Sequence, residues 1–115
     1  MIKIYILLSV IFSILLSNDF KNLKVLNIDN RGELKKYMKS ISKDLGVKCS
    51  YCHDLNDKSI ETNEKDITRE MIRLTRYLND VLNNVEKDHE DYKSYVTCWT
   101  CHHGKLEPEH HRPQE

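Results

Sequence analysis

The chain contains no alanine, carries no excess charge of either sign (18 lysines and arginines against 18 aspartates and glutamates), and offers no strand signal of any length. Balanced charge, with no basic stripe and no acidic block, excludes the electrostatic footprint of a nucleic-acid binder and an acidic tail. The missing strand signal leaves an all-α fold with little or no sheet. Long apolar runs are missing too. The longest, Ile4 to Ser17, has 14 residues with three serines, short of the roughly 20 that a spanning helix needs. Lys3 before it and Asn18-Asp19 after it give residues 1–17 the layout of a secretory signal peptide. Leu15-Leu16-Ser17 lacks the small residue usual at position −3 of a cleavage site, so the same run is also read as an uncleaved N-terminal anchor, with membrane association through it. No cysteine follows to carry a lipid. Both readings put the body on the periplasmic side or the outer face of the cytoplasmic membrane, as one domain over 18–108 with a polar tail at 109–115.

That body is small and poor in apolar residues, and domains of this size are already marginal. Its core needs material beyond side chains. All four cysteines fall in two five-residue units, Cys49-Ser50-Tyr51-Cys52-His53 and Cys98-Trp99-Thr100-Cys101-His102. Cys-x-x-Cys-His is the attachment signature of c-type haem. Each thiol adds across a vinyl group, forming a thioether, and the adjacent histidine ligates iron from one face. Two copies predict two covalently bound haems, attached through Cys49, Cys52, Cys98 and Cys101, with His53 and His102 as proximal iron ligands. Two porphyrin faces would then supply the missing core. The competing readings are one zinc held by four thiolates, thioredoxin-like dithiols and simple disulfides, which an exported chain permits. A four-cysteine zinc site needs neither histidine.

Two helices are expected. Asp29 or Asn30 can cap the first, whose apolar positions Leu34, Met38, Ile41 and Leu45 share a face over Arg31–Leu45; Gly46 stands where a left-handed C-terminal cap belongs. Residues 18–30 read as an extended lead-in, with Leu23, Val25, Leu26 and Ile28 free to pack. Asp54–Asp66 reads as a polar loop. The second helix runs from about Ile67 to Val85, with a stripe of Ile67, Met71, Leu74 or Thr75, Leu78, Val81 or Leu82, and Val85, and the charged Glu86–Asp91 ends it. Each half is therefore a helix with a methionine on its apolar face, then the cysteine–histidine unit. A methionine on such a face is ordinarily core filler. Here the only two besides Met1 each precede an attachment unit, which makes Met38 and Met71 the candidate distal iron ligands. His89, nine residues before Cys98, is the rival for the second iron. His103 cannot easily reach the iron that His102 binds, and His110 and His111 sit in the tail.

These residues resemble the cytochrome c subunit of photosynthetic reaction centres and its small dihaem relatives. Leu45-Gly46-Val47-Lys48-Cys49-Ser50-Tyr51-Cys52-His53 is similar to that family's Leu-Gly-Val-x-Cys-x-Tyr/Phe-Cys-His. Arg69-Glu70-Met71-Ile72-Arg73-Leu74-Thr75-Arg76 with Asn79 resembles its Arg-x-Met-x-x-Met-x-Arg…Asn helix, with Leu74 at the second methionine. Val96-Thr97-Cys98-Trp99-Thr100-Cys101-His102 with Gly104, and the lead-in Leu23-Lys24-Val25-Leu26, extend the likeness over roughly residues 22–108. His103 replaces the family's arginine, and Leu106-Glu107-Pro108 loosens its Pro-x-Pro ending. The resemblance implies Met38 and Met71 as distal ligands, and an electron carrier serving redox-partner proteins, among them a membrane electron-transfer complex. The photosynthetic subunit carries four haems in two such pairs, and this chain one pair. A small haem enzyme (a peroxidase or gas-reducing protein) with an open sixth position on the second haem is the alternative.

Overall fold

The lead-in and the first helix are shaped by local caps. In the computed structural model, which describes residues 20–88 and 94–110, helix α1 spans Arg31–Leu45. The Asn30 side chain accepts from the Gly32 and Glu33 amides at 2.7 and 3.1 Å, satisfying two of the four amides that a helix start leaves orphaned. At the other end Gly46 takes φ 64°. Its amide donates to Lys43 O at 3.3 Å and the Val47 amide to Ser42 O at 3.0 Å, the paired bonds of a Schellman cap. Glu33 in the first turn and Lys43 in the last complement the helix dipole.

After a three-residue turn the chain enters a 3-10 turn, Cys49–Tyr51. Helix α2 covers Asn63–Asp88 and helix α3 covers Cys98–His102. No strand occurs among the described residues, so the all-α expectation holds. The signal or anchor segment, His89 and residues 111–115 lie outside the described residues. Among the described residues no helix is long and apolar enough to cross a membrane.

Helix α2 is longer than its periodicity predicts, at both ends. The loop expected over Asp54–Asp66 stops at Thr62, whose hydroxyl accepts from the Lys65 amide at 3.3 Å and donates to Cys52 O at 2.9 Å. Glu64 and Asp66 in the first turn suit a helix start. At the other end the helix runs three residues past Val85 to Asp88, inside the charged Glu86–Asp91 segment expected to end it.

The core is small: Leu26, Ile41, Leu45 and Ile72 are buried, and Leu23, Val25, Ile28, Leu34, Tyr37, Met38, Val47 and Cys98 pack against them. The lead-in therefore packs as its sequence suggests. The expected apolar stripe of α2 does not face this core. Its buried apolar residue is Ile72, whereas Ile67 is 62% and Met71 42% exposed. Lys65, Arg69, Ile72, Arg76 and Asn79, at three- and four-residue steps, share another face. From that face Arg69 donates to Glu61 at 2.7 and 3.1 Å, to Asp66 at 2.6 Å and to Asn22 O at 3.5 Å. Arg76 donates to Val25 O. Asn79 bonds both polar groups of the Val96 backbone, donating to O at 2.8 Å and accepting from N at 2.6 Å. One face of α2 clamps the chain, and the other is left for a different neighbour.

Candidate haem-binding site

The exposed stripe of α2 forms one wall of an open cleft of about 900 Å³, counting the space open to solvent. Ile67, Met71, Leu74 and Leu78 line it from α2, Ile41 and Leu45 from α1, and Cys98, Cys101 and His102 from the second attachment unit. Three expected anchoring groups and, remote from them in sequence, the expected distal methionine thus converge on one mainly apolar space. Tyr51 of the first unit also lines it. A flat, apolar ring with one iron suits this donor set: soft thioether and imidazole, with apolar side chains around them.

The second unit is helical because Thr97 and Thr100 start it, the Thr100 hydroxyl accepting from the Thr97 amide at 3.0 Å. It is fixed to α1 by glycine. The Gly104 amide (φ 79°) donates to Asp44 O at 2.8 Å, satisfying a carbonyl in the last turn of α1. A Cβ on Gly46 would come 2.0 Å from Gly104 O, so only glycine allows that approach. His103, left-handed at φ 50°, is exposed and meets Trp99 edge-to-face at 5.8 Å.

The first unit is held by polar bonds. Besides Thr62 on Cys52 O, the Cys52 thiol lies 4.0 Å from the Thr68 hydroxyl, and burial pushes its pKa up. Burial likewise raises Cys98. Met38 is placed differently from Met71: half-buried on the core cluster, and not among the residues lining the cleft.

Each candidate proximal histidine has a carbonyl at its Nδ1. For His53 it is Lys58 O at 3.4 Å; for His102 it is Lys105 O at 3.0 Å. A ring that donates from Nδ1 keeps Nε2 unprotonated for a metal. Burial lowers the His53 pKa, partly opposed by the Lys58 O bond, with the Lys65 and Lys58 charges lowering it further; the neutral ring is the ligating form. The four thiols are unpaired, and among the described residues no three His, Cys, Asp or Glu side chains converge as a metal cage.

The family model for the photosynthetic reaction centre cytochrome C subunit matches residues 14–112. The chain belongs to this family. Cytochrome c-554 of Chloroflexus aurantiacus is 35% identical over 86 residues, which is 72% of this chain and 20% of that protein, so the chain spans about a fifth of the relative's length. Membership makes the chain a c-type cytochrome, a kind that carries covalently bound haem c. Arg69, Arg76 and Asn79 were visible in the sequence only as part of the family's motif. The structure gives them a task that sequence reasoning missed: they hold the lead-in and the approach to the second unit against α2.

Proposed function

We propose that the protein is an extracytoplasmic dihaem electron carrier, with one haem on Cys49 and Cys52 and one on Cys98 and Cys101. His53 and His102 are the proximal ligands in this reading, and Met38 and Met71 the distal ones. The observation that carries it is a cleft that Met71, Cys98, Cys101 and His102 line together. Bound haem supplies one-electron exchange between ferric and ferrous iron. The polypeptide does the rest. Paired cysteines would hold the ring covalently, the Nδ1 bonds would orient the imidazoles, and the methionine thioethers would ligate iron and favour the ferrous state. Ile67, Leu74 and Leu78 keep water from that face. Residues 1–17 would direct the chain out of the cytoplasm or hold it at the membrane. Its partners are redox proteins, a membrane electron-transfer complex among them.

The alternative, an enzyme with an open second iron, needs Met71 away from the cleft; its position there favours the carrier. Intact mass and optical spectra of the exported protein test the proposal. Two haem masses and a wholly low-spin spectrum are expected. A single haem mass rejects the dihaem reading, and a high-spin component rejects full ligation and favours the enzyme.

A further inference from the structure

The two histidine carbonyls differ in one respect. Lys58 O, which faces His53 Nδ1 at 3.4 Å, also accepts from Lys65 Nζ at 2.6 Å. Lys65 is only 8% exposed, and its other acceptor is Ile60 O at 2.5 Å. Lys105 O, which faces His102 Nδ1 at 3.0 Å, accepts from no side-chain cation among the described residues. Lys65 also stands in the first turn of α2, where a cation opposes the helix dipole. A buried ammonium there needs its two carbonyls. Two acidic groups close by in sequence are engaged elsewhere, Glu61 with Arg69 and Lys24 and Asp66 with Arg69.

We propose that Lys65 is a positioning residue that sets the first haem's potential above the value its ligands alone would give, by competing with His53 for the Lys58 carbonyl. The inference rests on the dihaem reading above. A carbonyl has two lone pairs and can accept both donors, but the charged donor makes the stronger bond and polarises the oxygen away from the ring. The longer distance at His53 than at His102 fits that competition. A weaker Nδ1–H bond leaves the imidazole less basic, hence a poorer donor to ferric iron, and the buried positive charge disfavours the ferric state in the same direction. At His102 neither effect operates through Lys105 O. Hydrogen bonding beyond the ligands and local charge are both recognised levers on haem potential.

The test uses the haem-loaded protein as wild type, Lys65→Gln, Lys65→Arg and Thr62→Val. The last loosens the same loop without changing charge. Potentials are read site by site from haem methyl resonances during a redox titration, and the His53 Nδ1–H resonance from ¹⁵N-histidine-labelled reduced protein. Lys65→Gln is expected to shift the first haem's oxidised-to-reduced ratio at fixed potential at least threefold toward oxidised, a drop of about 28 mV at about 59 mV per tenfold. His53 Nδ1–H should move downfield and exchange more slowly, while the second haem stays put and Lys65→Arg remains near wild type. The proposal falls if Lys65→Gln moves neither quantity, or if Thr62→Val reproduces both shifts. A missing haem on Cys49 and Cys52 in the wild type, read by peptide mass, would instead defeat the dihaem assignment itself.

Discussion

The two attachment units share five-residue spacing and little else. The first is a 3-10 turn directly behind α1, fastened by the Gly46 cap, by Thr62 on Cys52 O and by the cations Lys65 and Arg69, which hold the loop that follows. The second is a short helix beside an open apolar cleft, held by Gly104 on Asp44 O and by Asn79 on the Val96 backbone. Polar bonds close one region, and apolar surface awaits closure in the other. The same signature is thus positioned by different forces, and a haem in each would sense a different surrounding charge and hydrogen-bond field. The regions meet through Tyr51, which lines the cleft, and through the contact between Gly46 and Gly104.

Breaking that contact should have the largest effect. Gly46→Val puts a β-branched residue at φ 64° and a Cβ 2.0 Å from Gly104 O, combining backbone strain with a clash that no rotamer relieves. We expect a loss of more than about 3 kcal/mol, read from the denaturant midpoint, with haem incorporation falling at both units together. A loss confined to the first unit would show that the junction does not couple them. Exchanging the methionines sharpens the comparison next. Met71→Leu and Met38→Leu conserve volume, so packing alone should cost less than about 1.5 kcal/mol. Each should lower one haem's potential by on the order of 100 mV and weaken the ferric methionine-to-iron charge-transfer band. Met38 packs on the core and Met71 lines the cleft, so the Met38 change should also reduce stability more. Unchanged potentials and band in both variants would reject the methionine assignment.

How much of this was legible depended on where each signal lies. Both ends of α1 could be read because Asn30 and Gly46 act within a few residues of the helix they bound. The start of α2 could not, because Thr62 caps it from within a stretch that reads as polar loop, whereas its end falls inside the charged Glu86–Asp91 segment expected to close it. The Ile67–Met71–Leu74–Leu78 stripe was correctly periodic. Periodicity reports an apolar face and not its neighbour, so Ile72, off the stripe, took the core position. Both Cys-x-x-Cys-His units are evident from spacing alone. Lys65 and Arg69 look like solvated charges in the sequence; their burial comes from loop and lead-in carbonyls that no local pattern encodes.

The smallest expected effect tests the polar side of the comparison alone. Arg69, hydrogen-bonded to Glu61, and secondarily Lys24, hold the Glu61 carboxyl at about 2, against an ordinary 4.5. A carboxyl whose folded pKa is depressed stabilises the fold above its unfolded value and loses that contribution as pH falls through the folded one. Glu61→Gln keeps the shape and removes the charge. Wild type should therefore be the more stable of the two by a constant margin above about pH 4.5, and the margin should narrow steadily toward pH 3. Glu61 is exposed, so the margin is small and shrinks with salt. Urea midpoints followed between pH 6 and 3 measure it. Because Glu61 and Arg69 fasten the first loop and touch nothing in the cleft, the variant should disturb the His53 resonances and leave those of His102 in place. Equal disturbance of both would mean that the polar clamp and the apolar cleft are one cooperative unit, and the division between the two regions would have to be given up.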